Sequence, residues 1–176
     1  MGRRDSVNSL ESKVSETIER TDHLVSMVPV DRLTWRPEVP NEQPAASDLG
    51  HLLGHLLDCL AGFCAALHAA YPSELAEFAS LRPLPVNHFC LPEDARKQIK
   101  MYAAHIGRGF QQTTDTDLTR RIPTLFVPEG ETLLSLLLGN LEHLINHKYQ
   151  LFFYLKLAGV AVNSKDIYAW RGTPVE

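Results

Sequence analysis

The feature that most constrains the fold of this chain is a long Leu-rich segment near its C-terminus. Residues 132–157 read TLLSLLLGNLEHLINHKYQLFFYLKL, and their apolar side chains recur at the three- and four-residue spacing of one helix face. Gly159, which follows, is a residue type that commonly ends helices. A helix of this length and hydrophobicity needs partner helices to cover its apolar stripe.

Three further segments carry helical signals. Residues 6–28 have Leu10, Val14 and Ile18 at helical spacing, residues 48–71 begin at the helix-capping Asp48, and residues 92–113 begin at Pro92. The sequence therefore predicts an all-α fold, a four-helix bundle with long connecting loops, in a single domain over residues 1–176. We expect an irregular tail after Gly159, and at most a short extended piece at TLF, residues 124–126.

The composition excludes several classes of protein. With 44% hydrophobic and 22% charged residues the chain is ordinarily globular, and its formal net charge of −4 argues against a general nucleic-acid-binding protein. No signal-peptide pattern follows MGRRDS, and we expect no segment of the ~20 apolar residues that cross a bilayer. These features predict a cytoplasmic protein without membrane or nucleic-acid partners. Its three cysteines, Cys59, Cys64 and Cys90, are expected to be buried free thiols.

Two histidines interrupt the Leu-rich helix four residues apart. His143 and His147 lie about 40° apart around the helix axis, at the edge of the apolar stripe rather than on a polar face. Histidines at this spacing on one helix can bind a single metal ion. The same edge carries Leu136, Asn140, Gln150 and Tyr154.

The second helix repeats the spacing with His51 and His55. On a helical wheel His55 lies about 40° closer to the apolar face, so we expect it to reach the interior while His51 lies at the rim or in solvent. The alternative is that these are interior histidines without metal, hydrogen-bonded to the backbone or to Asp58, Asn140 and Gln150. The EHLINH order inverts the Glu-x-x-His motif of di-iron bundles, which argues against a di-iron centre.

These stretches resemble the DinB/YfiT-like superfamily. NLEHLINHKYQLFFYLKLAG is similar to its last helix, which typically reads His-Glu-x-His-His-Arg-Gly-Gln before an apolar run ending in Leu-Gly. DRLTWRPEVP and DLGHLLGHLLD are similar to the family's first loop and second helix, so the resemblance spans residues 6–160. The chain departs from the pattern at three positions, Asn146, Lys148 and Tyr149.

The resemblance implies a DinB-like bundle with a three-histidine metal site and frequent homodimers. Its ligands would be His55, His143 and His147. Some relatives are thiol-dependent transferases and isomerases that act with low-molecular-weight thiols. Imidazole ligands alone do not choose between zinc, nickel, iron and manganese. We expect Gln150, Asn140 and Asp58 to orient the imidazoles and Tyr154 to contact a bound substrate, although each has an ordinary structural alternative.

Three functions follow from this reading. The first is a metal-dependent enzyme, thiol S-transferase-like or hydrolase-like, acting on a small-molecule substrate. Three imidazoles with an open coordination position suit it, because such a metal ionises bound water near neutral pH or holds a bound thiol as thiolate. The second is a non-catalytic stress-response or binding module with the same fold. The third is a structural dimer whose histidines are core residues.

Overall fold

The chain folds around four long helices, as the sequence predicts. The computed structural model describes residues 2–38, 47–78, 88–124 and 127–168. Every helix boundary lies within two residues of its predicted position, and the all-α bundle is confirmed. The helices are α1 (Asp5–Ser26), α2 (Leu49–Ala70), α3 (Pro92–Gln112) and α4 (Leu133–Leu157).

Local chemistry accounts for where the helices begin and end. The Asp48 side chain accepts a hydrogen bond from the backbone N–H of His51, and the Thr132 hydroxyl accepts one from Ser135, so both α2 and α4 have capped N-termini. Pro92 occupies the first turn of α3, where its missing N–H costs nothing. Gly159 ends α4 with a φ of +83°, a backbone conformation that glycine adopts without strain.

The helices pack in a closed ring. Both α1 and α2 pack against α3 and α4, which places α1 and α2 at opposite corners of the bundle. The central element is α2, in which 14 of 22 residues are buried. Its apolar face meets the Leu stripe of α4, whose buried residues include Leu133, Leu137, Leu144, Leu151 and Leu155.

The expectation that no segment could span a bilayer is wrong for α2 by length and composition alone. Leu49–Ala70 is long and apolar enough, but 61% of its most apolar window is buried inside the bundle. No unbroken apolar run of this length exists, since His55, Asp58 and His68 interrupt it, but the many Leu, Ala, Cys and Phe residues keep the mean hydropathy of α2 high. The burial of α2 is that of a core helix in a soluble bundle.

Two loops pack onto the start of α2. The backbone carbonyls of Leu33 and Trp35, which follow a short 3-10 turn, accept hydrogen bonds from the N–H groups of Gly50 and Leu49 at 2.8 and 3.0 Å. On another side, a Cβ at Gly54 would lie 1.8 Å from the carbonyl oxygen of His88. Glycine at this position therefore allows the 88–90 segment to lie directly against the helix. The predicted loop continues through residues 39–46, which lie outside the described residues.

The connection before α4 contains the two short strands of the described chain. Arg121–Ile122 pairs antiparallel with Glu131–Thr132, and the two strands flank the extended piece predicted at residues 124–126. In that predicted piece Thr124 is not in a strand, and residues 125 and 126 lie outside the described part. Gly130 lies in the loop between the strands with a φ of +85°, a conformation that glycine adopts without strain. A side chain there would also press on the Ile122 backbone.

The described part of the tail is not irregular as expected, because residues Ser164–Tyr168 form a short helix, α5, against α1. The last part of the predicted irregular tail, residues 169–176, lies outside the described residues. The Asn163 side chain accepts a hydrogen bond from the Lys165 N–H, and the Asp166 side chain accepts one from the Asn163 N–H. These reciprocal bonds resemble a capping box, which the sequence reading did not consider. Asp166 also pairs with His23 of α1 at 2.9 Å, which ties the tail to the bundle.

Candidate metal site

Three imidazoles converge between α2 and α4. The Nε2 atom of His55 lies 3.1 Å from the Nε2 atom of His143 and 2.9 Å from that of His147. His143 and His147 are one turn apart on α4, and their ring centroids are 4.7 Å apart. The helical-wheel prediction that His55 points into the bundle therefore agrees with its position.

Hydrogen bonding cannot satisfy both short contacts of His55. A neutral imidazole nitrogen carries either one N–H or one lone pair, so Nε2 of His55 can form only one of the two as a hydrogen bond. The other contact leaves two ring nitrogens close together without a linear hydrogen bond between them. A metal cation that accepts one lone pair from each ring would account for the close approach of all three nitrogens. A tetrahedral metal with bonds of ~2.0–2.1 Å would hold such nitrogens ~3.3 Å apart.

A cysteine completes the cluster. Cys59 lies one turn after His55 on α2, and the four potential ligand atoms of His55, Cys59, His143 and His147 all lie within 4.8 Å of one another. The sequence reading treated Cys59 as a buried thiol, which it is, at 1% exposure. The signal that would have found it is its spacing, because His55 and Cys59 repeat the four-residue interval of the histidine pair.

The site has a buried side and a solvent side. His143 is exposed, His55 and His147 are half-buried, and Cys59 is buried. Burial lowers the pKa values of His143 and His147, and the neighbouring His55 lowers both further, while Asp58 opposes the shift at His143 and Gln150 opposes it at His147. The two rings are therefore held in the neutral form that binds metals. Burial, followed by the charge of Asp58, raises the pKa of Cys59 to about 12.

Gln150 orients one of the imidazoles. Its Oε1 atom lies 2.7 Å from Nδ1 of His147, and because an amide oxygen only accepts, Nδ1 is the donor. In the neutral ring this leaves Nε2 with its lone pair directed at the cluster. The amide N–H of Gln150 in turn donates to the Tyr154 hydroxyl at 3.1 Å, and the Tyr154 ring meets the edge of Trp35.

The other two predicted supporting residues lie in different surroundings. Burial lowers the pKa of His143, and Asp58 is close enough to oppose this shift, so its negative charge acts on the site. Asn140 donates to the Leu136 carbonyl at 2.8 Å, and its Oδ1 lies where a side chain on Gly62 would be. These Asn140 contacts belong to the packing of α4 on α2 rather than to the imidazoles.

His51 lies at the rim of α2, as the wheel predicts. Its backbone N–H and its ring Nδ1 both contact Asp48 Oδ1, at 2.9 and 2.8 Å. Its side chain is 46% exposed, and its ring packs edge-on to Phe89. The capping contact directs His51 away from the cluster that contains His55.

Comparisons with known proteins agree with this architecture. The family model of the DinB superfamily matches residues 13–151, a range that includes all four cluster residues. The crystal structure of a DinB-like protein from Bacillus subtilis superposes with a TM-score of 0.64 at 19% identity, over 88% of this chain and 94% of that one. No protein with a curated function gives a significant match. The match to the family model covers most of the sequence, and the chain belongs to the DinB superfamily.

Proposed function

We propose that the protein is a metal-dependent enzyme, thiol S-transferase-like or hydrolase-like, in which His55, His143 and His147 hold one divalent metal. The observation that carries the proposal is the pair of Nε2 contacts of His55, at 3.1 and 2.9 Å, which one imidazole cannot satisfy by hydrogen bonding. A bound metal would supply Lewis acidity, which favours the ionised form of a thiol or water molecule that binds to it.

The residues around the imidazoles support metal binding in separate ways. Gln150 fixes the tautomer of His147, so that its Nε2 lone pair is available without a rearrangement. The carboxylate of Asp58 opposes the lowering of the His143 pKa by burial, and its negative charge favours a positive charge at the same position. Zinc, nickel, iron and manganese all fit this use of imidazole, since the ligand type alone does not select among them.

The exposure of the site supports a small-molecule substrate. His143 lies at the surface while His147 and His55 are half-buried, so a small thiol or ester can reach the three nitrogens from solvent. Tyr154 is 8% exposed and its hydroxyl is already engaged by Gln150. We therefore assign Tyr154 to the support of Gln150 in preference to the substrate contact expected from the sequence. A low-molecular-weight thiol is the proposed co-substrate, and a cytoplasmic homodimer is the proposed setting.

Metal content tests the binding half of the proposal. Protein purified without added metal or chelator should carry about one transition metal per chain, measured by elemental analysis. His143→Ala should release it, and His51→Ala should not, because His51 lies on the same helix as His55 but is directed at Asp48. Equal metal content in all three proteins would favour the structural dimer with core histidines.

Turnover tests the catalytic half. The metal-loaded protein should conjugate at least one low-molecular-weight thiol to an electrophile, or hydrolyse an activated ester, faster than the chelator-treated protein. His143→Ala should abolish the metal-dependent rate. Metal binding without any such rate, across a panel of thiols and esters, would favour the non-catalytic stress-response or binding module.

A further inference from the structure

We infer that Cys59 is a fourth ligand of the proposed metal, bound from the buried side of the site. The inference rests on the proposed function, because it assumes that the three imidazoles hold a metal. The resting metal would then be bound by three nitrogens and one sulfur, and it would have no permanently open coordination position. Four protein ligands are typical of closed tetrahedral sites.

The position of Cys59 on α2 carries the inference. Its side chain follows His55 by one turn, so both project from the same face of the helix toward α4. In a tetrahedral site with a metal–sulfur bond of ~2.3 Å, sulfur and nitrogen ligands are ~3.6 Å apart. The four ligand atoms all lie within 4.8 Å of one another, so any separation exceeds the sulfur–nitrogen distance of such a site by at most ~1.2 Å. Small changes in side-chain torsion angles can close this difference.

The burial of the four side chains suits a ligand that Cys59 adds on the core side. His143 is exposed and His55 and His147 are half-buried, whereas Cys59 is only 1% exposed. Coordination replaces the thiol proton with the metal, and the proton leaves to solvent without any change of oxidation state. Small molecules would then reach the metal only by displacing a ligand or by adding a fifth one.

A thiolate ligand also narrows the choice of metal. Imidazole binds several divalent transition metals, whereas thiolate favours zinc-like ions over manganese. We therefore expect the native protein to hold zinc in preference to manganese. In Cys59→Ala this preference should weaken, because the remaining ligands are three imidazoles.

The chain offers matched controls, because the other two cysteines are also buried but bonded elsewhere. The Cys64 thiol lies 3.9 Å from the Tyr102 carbonyl oxygen, and the Cys90 thiol lies 3.5 Å from that of Leu91. Burial raises the pKa of Cys64 to about 12, as it does for Cys59. A variant at Cys64 thus removes a similar thiol from the same helix without touching the cluster.

Cobalt(II) spectroscopy on the full chain tests the inference. Wild type and Cys64→Ala titrated with Co²⁺ should develop the near-ultraviolet charge-transfer absorption of a cobalt–thiolate bond. Cys59→Ala should lack this absorption and bind Co²⁺ more than about 100-fold more weakly, because it loses a bond to the metal and not merely a supporting contact. Binding of equal strength in all three proteins, without a charge-transfer band in any, would overturn the role of Cys59 and leave the three-histidine site intact.

A second measurement needs no variant and separates the two proposals. X-ray absorption on the zinc-loaded wild type should detect one sulfur at ~2.3 Å from the metal. A coordination shell of nitrogen and oxygen alone would overturn the inference. Failure of wild type to bind either metal would overturn the proposed function as well.

Discussion

Two polar clusters in the described part of the bundle contain histidine, and they differ in what faces the imidazole rings. In the first, defined by His55, Cys59, His143 and His147, ring nitrogens face one another across α2 and α4. In the second, at the contact between α3 and the segment after α2, His105 is fully buried beside Arg108 and Glu77. The Arg108 guanidinium lies 3.3 Å from Nδ1 of His105 and forms an ion pair with Glu77.

The comparison of the two clusters shows that neither burial nor a lowered pKa distinguishes a proposed metal ligand from a structural histidine. Burial is the largest cause that lowers the pKa in His105, and also in His143 and His147. What separates His105 from His143 and His147 is the cationic side chain beside it. Arg108 is permanently charged and already lies where a metal would have to bind, whereas the first cluster contains only potential ligand atoms. Only the first cluster is therefore expected to take a metal.

The largest expected effect comes from removing a ligand. His147→Ala should weaken zinc binding by more than about 100-fold, because it removes a bond to the metal and not merely a supporting contact. His105→Ala removes a buried imidazole of similarly lowered pKa and should leave zinc affinity unchanged. Competition with a chromophoric chelator measures both. If the two variants lost affinity equally, the distinction between the clusters would be broken.

The sequence predicted the helices and three residues of the first cluster because both follow from angular position. Periodicity places His55 nearer the apolar face than His51, and it places His143 and His147 on one edge. It does not report depth, so the sequence predicts Cys59 only as a buried free thiol although its four-residue spacing from His55 is visible. Nor did angle distinguish Gln150, which contacts His147, from Asn140, which shares its edge but packs toward Gly62.

The parts that the sequence did not predict depend on contacts between distant segments. The helix Ser164–Tyr168 is short, and it is held by its own capping bonds and by the pair between Asp166 and His23 of α1. The second cluster likewise brings Glu77, from the segment after α2, to a residue of α3. An isolated histidine such as His105 carries no sign of such a partner in the sequence.

A smaller effect is expected from the residue that orients His147. Gln150→Leu should weaken zinc binding by about 10- to 100-fold, because His147 loses the acceptor that fixes its tautomer. Gln98→Leu, on α3, provides the control and should bind zinc as wild type does. Gln150→Glu retains an acceptor and should recover most of the affinity. An unchanged affinity in Gln150→Leu would mean that the hydrogen bond to Nδ1 has no part in metal binding.

The second cluster should be visible in the pH dependence of folding. Because the native pKa of His105 is lowered, the unfolded chain binds a proton near pH 6.5 that the native chain takes up only at lower pH. Stability contributed by neutral His105 is therefore present above this pH and is lost as the pH falls from about 6.5 toward the native pKa, by at most ~1.4 kcal/mol per pH unit. Urea unfolding of the chelator-treated protein between pH 7.5 and 5.5 measures the loss.

His105→Gln should make this pH dependence shallower, because the variant has no proton to take up at this position. Cys64→Ala is the control. Because burial raises the pKa of the Cys64 thiol to about 12, removing this thiol changes the core without changing titration in this range, and the variant should keep the wild-type slope. Identical slopes in His105→Gln and wild type would mean that His105 is protonated equally in the folded and unfolded chains.

The smallest effect concerns Arg108 itself. After burial, its charge is the next cause that lowers the pKa of His105, while Glu77 acts in the opposite direction. Arg108→Gln should therefore raise the pKa of His105 only slightly, because the arginine side chain is 52% exposed and solvent screens its charge. Arg108→Lys keeps the charge and should leave the pKa lower than Arg108→Gln does. NMR titration of the His105 ring distinguishes these outcomes, and a fall in its pKa in Arg108→Gln would mean that Arg108 acts on His105 chiefly through its pairing with Glu77.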